Sequence, residues 1–424
     1  MKYHYYEIIE KLKKRGSVPG LESIGRLLDE LDHPENKLKI VHIAGTNGKG
    51  SIFAFLSSIL QESGYQVGRY ISPTIQCYEE RFQINGVFIE KEKLERYFSR
   101  VESAMKEVER KYGICPTLFE AETAISFLYF LDKNVDFALI ETGMGGTMDA
   151  TNIIAHPLLT VISSISFDHK GILGDTLEEI ASQKAGIIKS GVPVVLSENP
   201  QKVREVIEKK SFELNSPLSV VSPETYIIIE EKEAGSTFLW KEQTFSIKLP
   251  GRHQISNAVT ALETARQLHE LWDPHHSINE KNMATGLEKA RWPGRLELLS
   301  ERPLFYRDGA HNPDAARKLA EFLEKHFTNK RIIYIMGVLR DKEYEKMLQC
   351  LLPLADSIYV FQPENERGLE VDVLAGAVKE YDKNAVICNN VNQAVKKALE
   401  DARDDDVVVA WGSLSFMEDM EVAK

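Results

Sequence analysis

Between Lys39 and about Leu196, short apolar runs rich in β-branched residues alternate with stretches of helical spacing. The runs "KIVHIAG", "VGRYISP", "VDFALIETG", "LLTVISSIS" and "VPVVLS" have few polar interruptions, the pattern of parallel strands covered on both faces of a sheet. After the first of them, Ile52, Phe55, Leu56, Ile59 and Leu60 fall on one helical face, which predicts a helix packed on that sheet with its N-terminus at the glycine-rich loop. From Val220 to Leu249 the period changes. There "TYIIIEE" and "STFLWKEQTFSIKL" alternate and predict antiparallel strands at the margin of the first domain. A helix is expected from about His253 to Leu271. In "RWPGRLELL" the adjacent Pro293 and Gly294 mark a linker, because a fresh alternation of strands and helices follows in "LFYRDG", "RIIYIMGVL", "SIYVFQP", "NAVIC" and "DVVVAWG". Two α/β domains are expected, over residues 1–294 and 295–424, the second smaller and Rossmann-like.

Composition narrows the class. At 424 residues, 43% hydrophobic and 27% charged, the chain is long enough to bury more than one core. A net charge of -12 with no block of Lys and Arg speaks against nucleic acid as the partner and for a small molecule. Cys77, Cys115, Cys350 and Cys388 are far apart and form no metal or disulfide pattern, so reduced thiols and a cytoplasmic location are expected. The start, "MKYHYYEIIEKLKKRG", shows no apolar signal region, and no run approaches the ~20 residues that would span a bilayer. A soluble monomer, free of membrane, is the expectation.

In an open parallel sheet the ligand lies beyond the C-terminal ends of the strands, so the polar residues there carry the chemistry. The first strand runs into "GTNGKGS", a glycine-rich turn before a helix, where backbone N–H groups, the helix dipole and the Lys49 ammonium can hold β- and γ-phosphates. The turn departs from the usual P-loop: Ala44 stands where the first glycine belongs, and Gly50 separates Lys49 from Ser51. The next strand ends lead to "ISPT", "ETGMGGTMDATN" and "SISFDHKG", so Ser72, Glu141, Asp168 and His169 are expected to converge on the phosphate end of a nucleotide. Ser72, Glu141 and His169 would suit Mg²⁺, which takes few protein ligands and leaves its other positions to phosphate and water. Singly, each has a plainer reading as a cap, an ion-pair partner or a satisfied histidine. The stretch "TLEEIASQKAGIIKSG" reads as one helix, with Ile180, Lys184, Ile187 and Ile188 on one face. Lys184 either snorkels along that face or points into the site.

Taken together, "GTNGKGS", "ISP" followed by "ERFQING", "FEAETAISF", "ETGMGG" with "DATN", "DHKGILGDTLEEIASQKAGIIK", "GRHQISNAVTAL", "WPGRLE", "DGAHNP" and "WGSLSF" resemble the folylpolyglutamate synthase/dihydrofolate synthase family, the folate branch of the Mur ligases. The resemblance covers nearly the whole chain and implies a P-loop-type ATPase domain followed by a glutamate-binding domain. It implies that Gly48, Lys49, Gly50 and Ser51 hold ATP phosphates, that Ser72, Glu141 and His169 ligate Mg²⁺, and that Lys184 is carbamylated. Asn257 would lie on the adenine side, with Arg295 and Asp308 contacting ATP across the domain junction. Lys49, Lys184 and His311 form the expected catalytic set. Phe119, Glu120, Thr147, Met148 and Asp149 are expected on the acid-substrate side.

The implied reaction transfers the γ-phosphate of ATP to a carboxylate of a folate or of dihydropteroate, and the amine of L-glutamate then attacks the acyl phosphate. The chain departs from the family pattern where Thr74 replaces the usual His, Thr147 replaces Arg, Met148 replaces Leu and Gln183 replaces Glu. Those changes leave open a Mur-type ligase acting on a non-folate acid. An idle ATP-binding protein and a kinase are further alternatives.

Overall fold

The computed structural model describes residues 3–420 except 17, 169, 170, 274 and 276. The first sheet is built from β1 (Ile40–Ala44), β2 (Val67–Tyr70), β3 (Phe82–Ile84), β4 (Val87–Phe88), β5 (Phe137–Glu141), β6 (Leu159–Ile162), β7 (Val194–Leu196) and β8 (Leu218–Val220). Their order is β4-β3-β2-β5-β1-β6-β7-β8. The six strands from β2 to β8 in that order run parallel, and β3 and β4 add an antiparallel edge. The two- and three-residue strands at the edges are too short to leave a periodic signal in the sequence.

Both faces of this sheet are covered, which is why its strands are apolar throughout. On one face lie the helix Lys49–Glu62 and the helix His253–Trp272. On the other lie His4–Lys13 and Leu118–Asp132. The helix Lys49–Glu62 packs on the sheet by the expected face and is buried well beyond it. Ser51, Phe53, Ala54 and Ser57 are buried along with the predicted stripe, because the helix is enclosed between the sheet and the helices His253–Trp272 and Glu280–Lys289. Gly286 lets the last of these close in, since a Cβ there would stand 2.5 Å from the Ile59 Cα.

The alternating segment forms a separate antiparallel sheet of β9 (Tyr226–Lys232), β10 (Gly235–Trp240) and β11 (Gln243–Ile247). Its inward side chains, Phe238, Trp240 and Phe245, join the core beneath the helix His253–Trp272. The stretch read as one helix from Thr176 to Gly191 is helical at Leu177–Ala185. Thr176 and Glu179 close a reciprocal capping box at its start, and Gly186 ends it, so Ile187 and Ile188 are buried in a turn beyond it.

After the linker come β12 (Glu297–Glu301), β13 (Leu304–Asp308), β14 (Ile332–Met336), β15 (Ser357–Val360), β16 (Ala385–Ile387) and β17 (Val407–Trp411), in the order β12-β13-β17-β14-β15-β16. All pair in parallel except the edge strand β12. Ile75, from the loop after β2, is buried in the apolar cluster of this second sheet with Leu414, Phe416 and Met417. Among the described residues no helix is long and apolar enough to cross a membrane.

Candidate functional site

The turn after β1 folds back on the next strand end: the N–H groups of Thr46 and Asn47 both donate to the Ser164 carbonyl. Gly48 follows at φ 88°, a left-handed conformation that leads into the helix Lys49–Glu62, and a Cβ there would lie 2.5 Å from Asn257 Oδ1. Gly50 is constrained from the other side, since a Cβ would meet the Trp292 indole nitrogen at 2.6 Å. The first-turn N–H groups of that helix have no acceptor within it, which makes the turn an anion cradle.

Two lysines meet over this cradle. Lys49 Nζ donates to Gly45 O at 2.9 Å, and Lys184 Nζ reaches the same oxygen at 2.9 Å from the helix Leu177–Ala185. Lys184 is 4% exposed, and burial, reinforced by the Lys49 charge, pulls its pKa down to about 7. Lys49 also stands 3.7 Å from Glu141 Oε1 at the end of β5. The backbone N–H of Ser72 donates to Glu141 Oε2 at 3.1 Å. Burial pushes the Glu141 carboxyl above the ordinary range, against the pull of Lys49, the Ser72 N–H and Arg295.

The C-terminal domain supplies the opposite wall. Asp308, at the end of β13, accepts N–H bonds from Leu296 and Ala310, and burial raises its pKa against the nearby Arg295 charge. Arg295 thus acts on a buried carboxylate from each domain. His311 Nδ1 donates to Gly309 O at 2.8 Å, which turns Nε2 toward Asp168, 3.8 Å away. Asp168 also accepts from Lys342 Nζ at 2.6 Å, across the junction from the loop after β14. A second cross-junction tie starts in the phosphate turn: Asn47 Nδ2 donates to Asp314 Oδ2 at 2.9 Å, and Asn312 Nδ2 returns a bond to Asn47 Oδ1 at 3.0 Å.

Of the residues expected to converge, Ser72, Glu141, Lys49 and Lys184 are brought together. Asp168 pairs with Lys342 and stands near His311 of the second domain while its charge still acts on Lys184, and His169 lies outside the described residues. Among the described residues no group of three or more His, Cys, Asp or Glu side chains gathers in a metal-like cluster. On the acid side, Phe119 packs where a Cβ of Gly143 would sit, and Met148 is 55% exposed. Glu120 closes the capping box of the helix Leu118–Asp132. Asp149 accepts from Met144 N, Thr151 N and Thr151 Oγ1. Thr147 Oγ1 donates to Gln183 O. Trp292, Asn47 and Lys342 were not anticipated. Lys342 had a signal, since it follows an apolar strand end in "GVLRDK" just as Asp168 follows one in the first sheet.

The chain and its architecture match known proteins over nearly their whole length. Residues 43–265 fit the profile of the Mur ligase middle domain, and residues 294–414 that of the Mur ligase, glutamate ligase domain. A phosphate turn on the first sheet, closed by a Rossmann-like second domain, thus defines a Mur ligase. The chain is 37% identical to the dihydrofolate synthase/folylpolyglutamate synthase of Bacillus subtilis over 96% of its own length and 95% of the relative's. It is 34% identical to the dihydrofolate synthetase of Saccharomyces cerevisiae, over 93% and 95%. The folylpolyglutamate synthase of Mycobacterium tuberculosis, solved with ADP and AMPPCP, superposes with a TM-score of 0.88 at 28% identity, covering 97% of this chain and 96% of that one. The chain belongs to the folylpolyglutamate synthase/dihydrofolate synthase family.

Proposed function

We propose that the protein uses ATP to join L-glutamate to a folate through an acyl phosphate. The observation that carries this reading is the pair of ammonium groups, Lys49 and Lys184, on one carbonyl beside the buried Glu141, at a junction to which the second domain brings Arg295 and His311. A carboxylate oxygen of the folate attacks the γ-phosphorus, and the bond to the ADP oxygen breaks. The amine of glutamate then attacks the acyl carbon, and phosphate leaves with the electron pair. Such chemistry is carried by positioning and charge neutralisation rather than by a protein nucleophile. Lys49 and the first-turn N–H groups neutralise the transferring phosphoryl group, and Arg295 does so from the second domain. His311, whose Nδ1–H is committed to Gly309 O, keeps Nε2 to take the proton that the amine sheds.

A buried carboxylate whose charge is disfavoured by burial suits a divalent cation. Ser72 and Glu141, with His169, would hold Mg²⁺, which neutralises phosphate charge when bound. Lys184 is held near the pH at which its amine is neutral, the form that adds CO₂: the nitrogen–carbon bond forms and a proton goes to solvent, leaving a carbamate. Thr147 presents no planar pair of donors to an acid, so extension of a reduced folate is expected to exceed ligation of dihydropteroate.

The test is ATP turnover with L-glutamate and either acid, with products identified by mass. ADP release that needs both acid and glutamate and yields the amide supports the reading. A stable phosphorylated product released over many turnovers without glutamate, beyond the single equivalent an acyl phosphate would give, makes the protein a kinase. No turnover with any acid leaves an ATP-binding protein.

A further inference from the structure

The loop after β5 is packed on the end of the helix Leu177–Ala185. Gly146 allows the contact, since a Cβ there would stand 2.6 Å from Gln183 O and 2.9 Å from Lys184 O. Gly186 allows it from the other side, because its Cβ would lie 2.2 Å from Thr147 Oγ1. Between the two glycines, Gln183 O accepts two bonds from one residue, Thr147 N at 2.8 Å and Thr147 Oγ1 at 3.0 Å. The next residue along the helix is Lys184, whose side chain runs through the interior to Gly45 O.

The loop that makes this grip is itself braced. Asp149 ties back to Met144 N and Thr151, Thr151 Oγ1 meets His42 Nε2 of β1 at 2.8 Å, and Asn152 Nδ2 donates to Thr147 O at 3.0 Å. The loop therefore acts as a strut from β1 to the helix end. Meanwhile Met148, the neighbour of Thr147, faces outward.

We infer that Thr147 is a positioning residue for Lys184: its hydroxyl fixes the helix end so that the lysine reaches the Gly45 carbonyl beside Lys49. This deepens the ligase reading and rests on it only where turnover is concerned. A hydroxyl at residue 147 holds the helix end where Lys184 stays dry. Without it the end loosens and water reaches the amine. The charged groups that face Lys184 are Lys49 from the helix after β1, Asp168 from beyond β6 and Asp149 from the strut. A change at residue 147 leaves all three in place, so it acts through geometry and hydration.

The test compares Thr147→Val, which exchanges the hydroxyl for a methyl at similar volume, with Thr147→Ser, which keeps it. In the whole protein without substrates, in buffer stripped of CO₂ and bicarbonate so that Lys184 is a free amine, its acylation by an amine-reactive anhydride is followed by peptide mass across pH. In the valine variant the midpoint of the labelling profile is expected to move up by about one pH unit, which lowers the reactive neutral fraction at pH 7 about fivefold, while the serine variant keeps the wild-type midpoint. In turnover, Thr147→Val is expected to lower kcat by about tenfold with KM for acid and glutamate unchanged, and Thr147→Ser to restore it. Unchanged Lys184 labelling in a folded Thr147→Val protein overturns the inference. So does a raised KM for the acid at constant kcat, which would make the hydroxyl a substrate contact. Labelling needs no substrate, so its result stands apart from any failure to turn over folates.

Discussion

At the scale of single residues, the two charges facing each other across the phosphate turn serve different ends. Lys49 is expected to be indispensable: Lys49→Ala should lower kcat by at least about 10²-fold, the loss typical of removing a group that stabilises charge in the transition state. ADP release at wild-type rate in that variant would remove the turn from the mechanism. Glu141 carries a stability cost. Its folded-state pKa is raised, so ionisation at neutral pH works against the fold, and the stability it contributes is present in acid and lost as pH rises through that raised pKa. Glu141→Gln should therefore be more stable than wild type at pH 7, by on the order of 1 kcal/mol in denaturant titration, while losing activity. The gap should close as the pH falls below the ordinary glutamate range, and a gap independent of pH would refute the assignment. Both residues were legible in the sequence because Glu141 ends an apolar strand and Lys49 closes the glycine-rich turn after another. Trp292 and Asn47 were not, since their roles depend on surfaces brought together from 240 or more residues apart, as the Gly50–Trp292 and Asn47–Asn312 contacts are.

At the scale of elements, burial follows from what covers a helix as much as from its own pattern. The helix Lys49–Glu62 has apolar or small residues nearly all round, so the stripe read from it was part of a larger surface. In the helix Leu177–Ala185 the apolar spacing ran on past the cap, because Ile187 and Ile188 are core residues in a turn. Periodicity registers burial and does not register where hydrogen bonding stops. The glycines make the same point testable. Gly376 lies inside the helix Val371–Lys379 with nothing within 4 Å of a Cβ, so Gly376→Ala should stabilise the protein by about 0.4–1 kcal/mol in denaturant titration. Gly146→Ala, by contrast, would drive a methyl into the backbone of Gln183 and Lys184, and should lower both the unfolding midpoint and kcat. Equal effects from the two substitutions would show that the strut is not a tight contact.

At the scale of the whole molecule, the two sheets are tied by polar bonds at the phosphate turn and by the apolar insertion of Ile75. The Lys342–Asp168 pair is well shielded, so Lys342→Ala should loosen the junction, with a larger radius of gyration in solution scattering and a lower kcat/KM. An unchanged radius and unchanged kinetics would mean that the remaining cross-junction contacts, those of Asn47, Ile75 and the Lys325–Glu231 pair, suffice without Lys342. The existence of two α/β domains was plain from the restart of strand and helix alternation after Pro293. How they face one another was not, because the bonds between them join loops with no periodicity. A contact inside the first domain, near that junction, has an optical side. Trp292 lies over Gly50, at the mouth of the phosphate turn, with the Arg69 guanidinium 5.8 Å from its ring. The other three tryptophans sit elsewhere, Trp240 and Trp411 in apolar cores and Trp272 at the end of its helix. The protein therefore carries a native fluorophore at its own doorway, and the arrival of a nucleotide should be visible as a change in emission that Trp292→Phe abolishes.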